Sequence, residues 1–137
     1  MLLFCLIVLA TQAVQGQPTF PFPQGRYIGG LLARYLRVDV NFVTAFEIPR
    51  VRLSISCGSS RDSWDGWFDI DRGMPGNLFK LKDYQTGDKY AELLAFYDAH
   101  CGRAPGKKGD LALFTKDLHL GQYATRLGND RIFLYPA

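Results

Sequence analysis

The sequence predicts a single all-β domain built from short antiparallel strands. Of the two architectures that fit, a small antiparallel β-sandwich and a small barrel, the β-sandwich is the prediction. Apolar and polar residues alternate with a period of two in several segments, clusters of Gly, Pro, Asn and Asp separate those segments, and no long stretch has a helical period. The chain has 137 residues, 47% of them hydrophobic, which suffices for one domain with a core and is too short for two.

Residues 1–16 have the layout of a secretory signal peptide. An apolar run over residues 2–10 is followed by small and polar residues, and this run is shorter than the roughly 20 apolar residues that a transmembrane helix needs. We expect cleavage after Gly16 and a secreted, extracellular protein whose mature chain has no transmembrane segment. Residues 17–34 are predicted to form an extended leader, because the alternating Pro and Phe of QPTFPFPQG disfavour helix and strand pairing.

The β-sandwich domain is predicted over residues 35–137, and its two clearest strands come first. Residues 36–42 alternate apolar and polar side chains, and residues 51–57 do the same. Each segment is therefore predicted to bury one face and expose the other. Further short strands, rich in aromatic and β-branched residues, are predicted at residues 67–70, 77–84, 92–98, 110–116 and 131–135.

Two segments also carry a helical pattern. Residues 27–35 contain the pair Gly29 and Gly30, and each glycine weakens a helix by about 1 kcal/mol. Residues 89–99 have apolar side chains that fit a helical stripe as well as a strand. Helix and strand both remain open for residues 89–99.

Secretion decides how the three cysteines are interpreted. Cys5 leaves with the signal peptide, and Cys57 and Cys101 remain as a pair in an oxidising compartment, where a disulfide is the expected state. A closed loop of this length would stabilise the fold by about 4 kcal/mol. The two cysteines and the distant His100 and His119 lack the close paired spacing of a zinc site.

The stretch VRLSISCGSSRDSWDGWFDID contains four aspartates and two tryptophans. Residues 58–66 are predicted to be the loop between two strands. The stretch lacks the close alternating carboxylates of a calcium loop, and arginines lie beside the acids. We therefore expect solvated carboxylates without a metal ion, Trp67 packed inward and Trp64 exposed on the loop.

Two loops form the predicted recognition surface, because the inward residues of the strands are committed to packing. The residues singled out are Arg61, Asp62, Trp64 and Asp65 in the first loop, and Arg103, Lys107 and Lys108 in the second. A tryptophan can anchor in a pocket of a partner, and the basic residues would chiefly raise the rate of association.

Composition and motifs argue against catalysis and nucleic-acid binding. The net charge is only +3, and no basic run is interleaved with aromatics. The sequence has no G-x-S-x-G motif. We expect a monomeric, non-enzymatic ligand without a cofactor, whose partner is a cell-surface receptor or other protein. Two alternatives stay open: a module that binds a small lipid or sugar, and a small hydrolase such as a ribonuclease that uses His100 and His119.

Five segments resemble, in order and spacing, the plant self-incompatibility protein S1 family. They are VDVNF, RLSISCGSSRDSWDG, LAFYDAHC, GDLALFTKD and GNDRIFLY. The mature chain has two cysteines, where the family commonly has four. The resemblance implies a small secreted β-sandwich without catalytic residues that acts as the ligand of a cell-surface receptor.

Overall fold

The computed structural model describes residues 20–32, 35–58, 62–101, 107–117 and 120–137. Within these ranges the chain forms eight strands and one helix, and the all-β prediction is confirmed. The predicted signal peptide lies outside the described residues. In chain order the elements are β1 Gly25–Leu31, β2 Leu36–Ala45, β3 Ile48–Cys57, β4 Ser63–Arg72, β5 Leu78–Leu81, α1 Asp88–His100, β6 Leu113–Lys116, β7 Tyr123–Leu127 and β8 Asp130–Pro136.

The strands form a closed antiparallel barrel in sequence order, from β1 to β8. The predicted β-sandwich is therefore wrong. A sandwich consists of two separate sheets, whereas here β8 pairs with β1 through Tyr27 with Pro136 and Ile28 with Tyr135. This pairing satisfies the backbone groups that the two outermost strands of an open sheet would expose.

β1 corrects the predicted boundary between leader and domain. Residues 17–34 are predicted as a leader and residues 27–35 as a weak helix, yet Gly25–Leu31 pairs with β2 as a strand of the barrel. Gly29 shows why a glycine suits this strand. A Cβ at Gly29 would lie 2.1 Å from the carbonyl oxygen of Phe133, so only glycine permits β1 and β8 to approach this closely.

The alternation predicted for β2 and β3 is confirmed. Every second side chain of these strands points into the barrel, and the core residues they supply are Leu36, Val38, Val40, Phe42, Val51, Leu53, Ile55 and Cys57. The two strands pair along their whole length. Because each strand buries one face only, the sequence has the period of two that defines such strands.

Aromatic side chains fill the middle of the barrel. The ring of Phe42 lies 5.5 Å from the ring of Phe114, 5.4 Å from that of Tyr123 and 5.9 Å from that of Tyr27. A barrel of about eight strands is just wide enough to be filled by side chains or to hold one small ligand. Here the aromatic cluster occupies that space.

α1 packs on the barrel end where β3 and β5 finish. Its buried residues Tyr90, Leu93 and Tyr97 belong to the core, so residues 89–99 are helical and the strand predicted at residues 92–98 is wrong. The predicted disulfide is confirmed: Cys57, the last residue of β3, bonds to Cys101 just after α1, with their Cα atoms 5.2 Å apart.

The N-terminal described residues pack on the core from the other end. The ring of Phe22 lies 5.6 Å from the ring of Phe79. The guanidinium of Arg72 lies 4.8 Å from the centroid of the Phe22 ring and donates a hydrogen bond of 2.5 Å to the carbonyl oxygen of Phe20. Residues 20–22 are thus part of the folded domain, although they precede its predicted start at residue 35.

Tyr123 makes the stability of the barrel sensitive to alkaline pH. Its side chain is 3% exposed, and burial, reinforced by the neighbouring Tyr27, raises its pKa to about 12. Because the pKa of an unfolded tyrosine is about 10, the stability that neutral Tyr123 contributes is complete below that pH and is lost as the pH rises toward 12. We expect Tyr123→Phe to reduce this alkaline loss by about 2 kcal/mol.

Urea unfolding at a series of pH values measures this effect, with Tyr135→Phe on the exposed outer face as the matched control. Wild type and the control should lose stability in parallel above a pH of about 10. An equally steep loss in Tyr123→Phe protein would contradict the assignment.

Candidate binding site

Ion pairs cross the outer face of β3 and β4. Arg50 Nε lies 3.2 Å from Asp69 Oδ1, and Arg52 Nε donates a hydrogen bond of 3.1 Å to Asp65 Oδ2. All four side chains are about half exposed, so each pair contributes at most about 1 kcal/mol to stability. Their main effect is to hold the charged side chains in place on the strand face.

A third ion pair joins β1 and β2. Arg26 donates hydrogen bonds of 3.0 Å and 2.6 Å to the two carboxylate oxygens of Asp39. These hydrogen bonds hold the pKa of Asp39 below its usual range. The carboxylate therefore remains charged, and paired, at neutral pH.

Trp67 lies among these charged residues on the outer face of β4. Its side chain is 37% exposed, the guanidinium of Arg50 lies 5.4 Å from the centroid of its ring, and Arg52 faces it in the strand register. Lys89 Nζ donates a hydrogen bond of 3.2 Å to the Trp67 carbonyl oxygen. The indole is thus an exposed aromatic surface held between basic residues.

A groove of about 340 Å³ runs beside Trp67. One wall is the outer face of β3 and β4, and the other is the connection from β5 into α1. Both walls carry charges of both signs. The charged residues that line the groove are Arg50, Asp69, Lys82, Asp83, Asp88 and Lys89. This set, with Trp67, is called the Trp67 groove below.

Backbone hydrogen bonds fix the second wall of the groove. Lys82 N donates to Asp69 O at 2.8 Å, and Gly87 N donates to Asp83 O at 2.8 Å. Asp83 has a φ of 55°, a conformation that a non-glycine residue keeps only where its surroundings determine it. A wall held in this way loses little conformational entropy when a ligand binds.

The structure corrects the predicted placement of the two tryptophans. Trp64 and Asp65 lie in β4 rather than in a loop, because β4 begins at Ser63. Trp64 is partly buried against the core, with its ring centroid 6.0 Å from that of Phe68. Since alternate residues of a strand share a face, Trp64 points inward with Phe68 and Trp67 points outward. The predictions for both tryptophans are therefore wrong.

Among the described residues of the first predicted loop, Asp62 and Asp65 are not part of the lining of the Trp67 groove. Arg61 lies outside the described residues. Asp62 precedes β4, and its Oδ2 lies 3.8 Å from His100 Nδ1. Asp65 is engaged by Arg52 on the strand face. This loop therefore contributes neither its tryptophan nor its acids to the groove.

The second predicted loop lies at a different place. Lys107 and Lys108 are exposed and line a separate cavity of about 240 Å³, while Arg103 lies outside the described residues. The buried Asp110 anchors the backbone there, because its carboxylate accepts hydrogen bonds from Lys107 N at 2.8 Å and Gly128 N at 2.9 Å. Lys107 and Lys108 are not among the residues that line the groove beside Trp67, although the Tyr90 hydroxyl, from a residue of that lining, donates a hydrogen bond of 2.7 Å to the Asp110 carbonyl oxygen.

The described residues supply no assembled metal centre. No group of three or more metal-binding side chains lies together within the described ranges. Asp65 and Asp69 each pair with an arginine on the outer face. His119 lies outside the described residues, so the two-histidine alternative stays a prediction. Over the same part of the chain, no helix meets the requirements of a membrane span.

No family model, no curated protein and no solved structure significantly matches the chain. The resemblance to the S1 family stays a prediction. None of the groove residues is predicted from the sequence as part of a site. Besides Arg50 and Asp69 on the strand face, they are Trp67, Lys82, Asp83, Asp88 and Lys89. The period of two in β3 and β4 could have indicated Trp67 alone, once the bounds of β4 are known. The other four residues follow β5 or lie in α1, where no such pattern indicates them.

Proposed function

We propose that this protein is a secreted, non-enzymatic ligand or effector that binds a partner protein at a cell surface through the Trp67 groove. The observation that carries the proposal is the exposed indole of Trp67, held by Arg50 at the edge of a preformed groove. Tryptophan and arginine are the residues that most often dominate the binding energy of an interface when a partner buries them.

The packed interior favours protein contact over a carrier function. A barrel that carries a small lipid encloses it in an interior cavity. In this protein Phe42, Phe114 and Tyr123 pack against one another at that position. The binding capacity of the barrel therefore belongs to its outer surface, which agrees with the receptor-ligand role that the S1 resemblance implies.

The charges of the groove define how a partner would be recognised. Both walls carry basic and acidic side chains, so a partner must present complementary charges of both signs. Such complementarity governs orientation and the association rate, whereas burial of the indole governs the dissociation rate. A hydrolase would instead need a nucleophile and a base within hydrogen-bond reach of each other. Of the three carboxylates that line the groove, Asp69 is paired with Arg50.

We expect Trp67→Ala to weaken cell-surface binding by about 2 kcal/mol or more, roughly 30-fold, mainly through faster dissociation. The side chain points outward, so the variant should remain folded. Fluorescently labelled mature protein, bound to cells from its own source and displaced by unlabelled variants, gives the relative affinities. Circular dichroism and urea unfolding establish that each variant is folded.

Phe133→Ala provides a matched control. Phe133 is 40% exposed on β8, and the guanidinium of Arg131 lies 5.2 Å from its ring centroid, much as Arg50 lies over Trp67. β8 and β4 lie four strands apart in the ring of eight, on opposite sides of the barrel. Phe133→Ala should compete like wild type. Undiminished competition by folded Trp67→Ala protein would refute the proposal.

A further inference from the structure

Four basic side chains gather on the β7–β8 hairpin and on the neighbouring residues 107–108. Lys107, Lys108 and Arg126 line a cavity of about 240 Å³. Arg126 and Arg131 line a neighbouring cavity of about 340 Å³, and the two cavities also share Asn129. They adjoin along β7, the β7–β8 turn and residues 107–110, and are together called the basic groove below.

Two arginines of the basic groove face each other directly. Arg126 on β7 is the cross-strand partner of Arg131 on β8. Like charges at directly opposed positions destabilise a strand pair. Among the described residues, none of the ion pairs includes either arginine. The arrangement carries a local electrostatic cost that a bound anion would remove.

The carboxylate of Asp110, which lines this groove, is engaged by the backbone. Asp110 is buried, and its two oxygens accept hydrogen bonds from the backbone amides of Lys107 and Gly128. Asp130 lies opposite Leu127 at the end of the same hairpin. Asp110 therefore fixes the turn that presents Lys107 and Lys108, while the four basic side chains face the solvent.

We propose that the basic groove binds a linear sulfated polysaccharide. Each guanidinium can donate paired hydrogen bonds to a tetrahedral oxyanion, and Arg126 with Arg131 can clamp one sulfate between them. A single anion would engage that pair alone. A chain with repeated sulfate groups would also reach Lys107 and Lys108 in the adjoining cavity, so the extended shape of the basic groove favours a linear polyanion.

The test compares polysaccharide binding by a variant that lacks the arginine pair with binding by a variant that loses the same charge elsewhere on the barrel. The variant Arg126→Gln with Arg131→Gln and the control Arg37→Gln with Lys80→Gln each remove two positive charges. Arg37 and Lys80 lie on β2 and β5, outside the basic groove. A fluorescent sulfated dextran oligosaccharide is titrated with each full-length mature protein at several salt concentrations.

We expect the arginine variant to bind the sulfated dextran about tenfold or more weakly than wild type, with a smaller dependence on salt. The control should change the affinity by about twofold or less, since it loses only long-range attraction. Equal weakening in both variants would overturn the proposal, because net charge alone would then explain the binding. Binding to anionic phospholipid vesicles that depends on the arginine pair, without binding to sulfated dextran, would also overturn it.

Two further measurements separate this site from a structural role and from the Trp67 groove. Arg131→Gln should be at least as stable as wild type in urea, because it relieves the repulsion from Arg126; a large loss of stability would show that the pair is structural. Trp67→Ala should bind the sulfated dextran like wild type. If it does not, the two surfaces are not independent and the assignment to β7 and β8 is wrong.

Discussion

Removal of the Cys57–Cys101 disulfide is expected to lower the free energy of unfolding by about 4 kcal/mol. The bond joins residues separated by 44 positions, and the enclosed segment contains β4, β5 and α1. Without the bond the unfolded chain gains the conformational entropy of a long open loop. The same bond ties the end of α1 to the end of β3, so its loss should also weaken the packing of α1.

Urea unfolding of the double variant Cys57→Ala with Cys101→Ala gives the size of this effect. Reduced wild type is the matched comparison, because it lacks the bond but keeps both side chains. The two forms should lose similar amounts of stability. A loss below about 1 kcal/mol in both would contradict the entropic account of the bond.

Phe42→Ala is expected to cost about 3–5 kcal/mol of stability. The side chain is fully buried at the centre of the barrel, and its ring contacts three aromatic neighbours. Truncation removes this packing and leaves a cavity that the barrel cannot close without distorting its strands. The same substitution four residues later, Phe46→Ala, is the matched control, because Phe46 is 98% exposed and should change stability by about 0.5 kcal/mol or less.

The cavity in Phe42→Ala protein also tests whether the native interior is filled. An apolar cavity of this kind takes up small apolar molecules such as benzene. Benzene should therefore raise the unfolding temperature of Phe42→Ala protein and leave that of wild type unchanged. Equal stabilisation of wild type would reveal interior space in the native barrel and would favour the alternative of a small-ligand carrier.

The sequence is informative about strands with one buried face. β2 and β3 could be predicted with the correct inward residues because their outer positions are polar over residues 36–42 and 50–57. β7 could not, because Tyr123, Ala124 and Thr125 are all buried and the alternation disappears. The sequence of α1 is compatible with helix and with strand, because its apolar residues fit both the helical period of 3.6 and the strand period of two.

Closure of the barrel depends on pairing that no local pattern reveals. β1 and β8 are the first and last strands, and the contact between them requires Gly29 to come close to the carbonyl group of Phe133. In isolation a glycine pair only weakens a helix or a strand. Here Gly29 is required because Phe133 of β8, more than 100 residues away in sequence, comes close to it. Such a long-range contact leaves no local pattern, so the strands of a sandwich and of a barrel have the same local features.

The predictions for Trp64 and Trp67 are wrong because they place the start of β4 too late in the sequence. When β4 is taken to begin at Trp67, Trp64 falls in a loop. Once β4 begins at Ser63, the inward positions of Phe68 and Ile70 fix the alternation for the whole strand. The exposed tryptophan is therefore Trp67 on the outer face of β4, and not Trp64 as predicted.

The most direct test of the proposed function is hydroxyl-radical footprinting of the mature protein, free and bound to the surface of its target cells. Mass spectrometry measures the oxidation of Trp67 and of Phe133 in the same sample. We expect oxidation of Trp67 to fall sharply on binding, while Phe133, on the opposite side of the barrel, remains as reactive as in the free protein. Unchanged oxidation of Trp67 in the bound protein would contradict the conclusion that the partner covers the Trp67 groove.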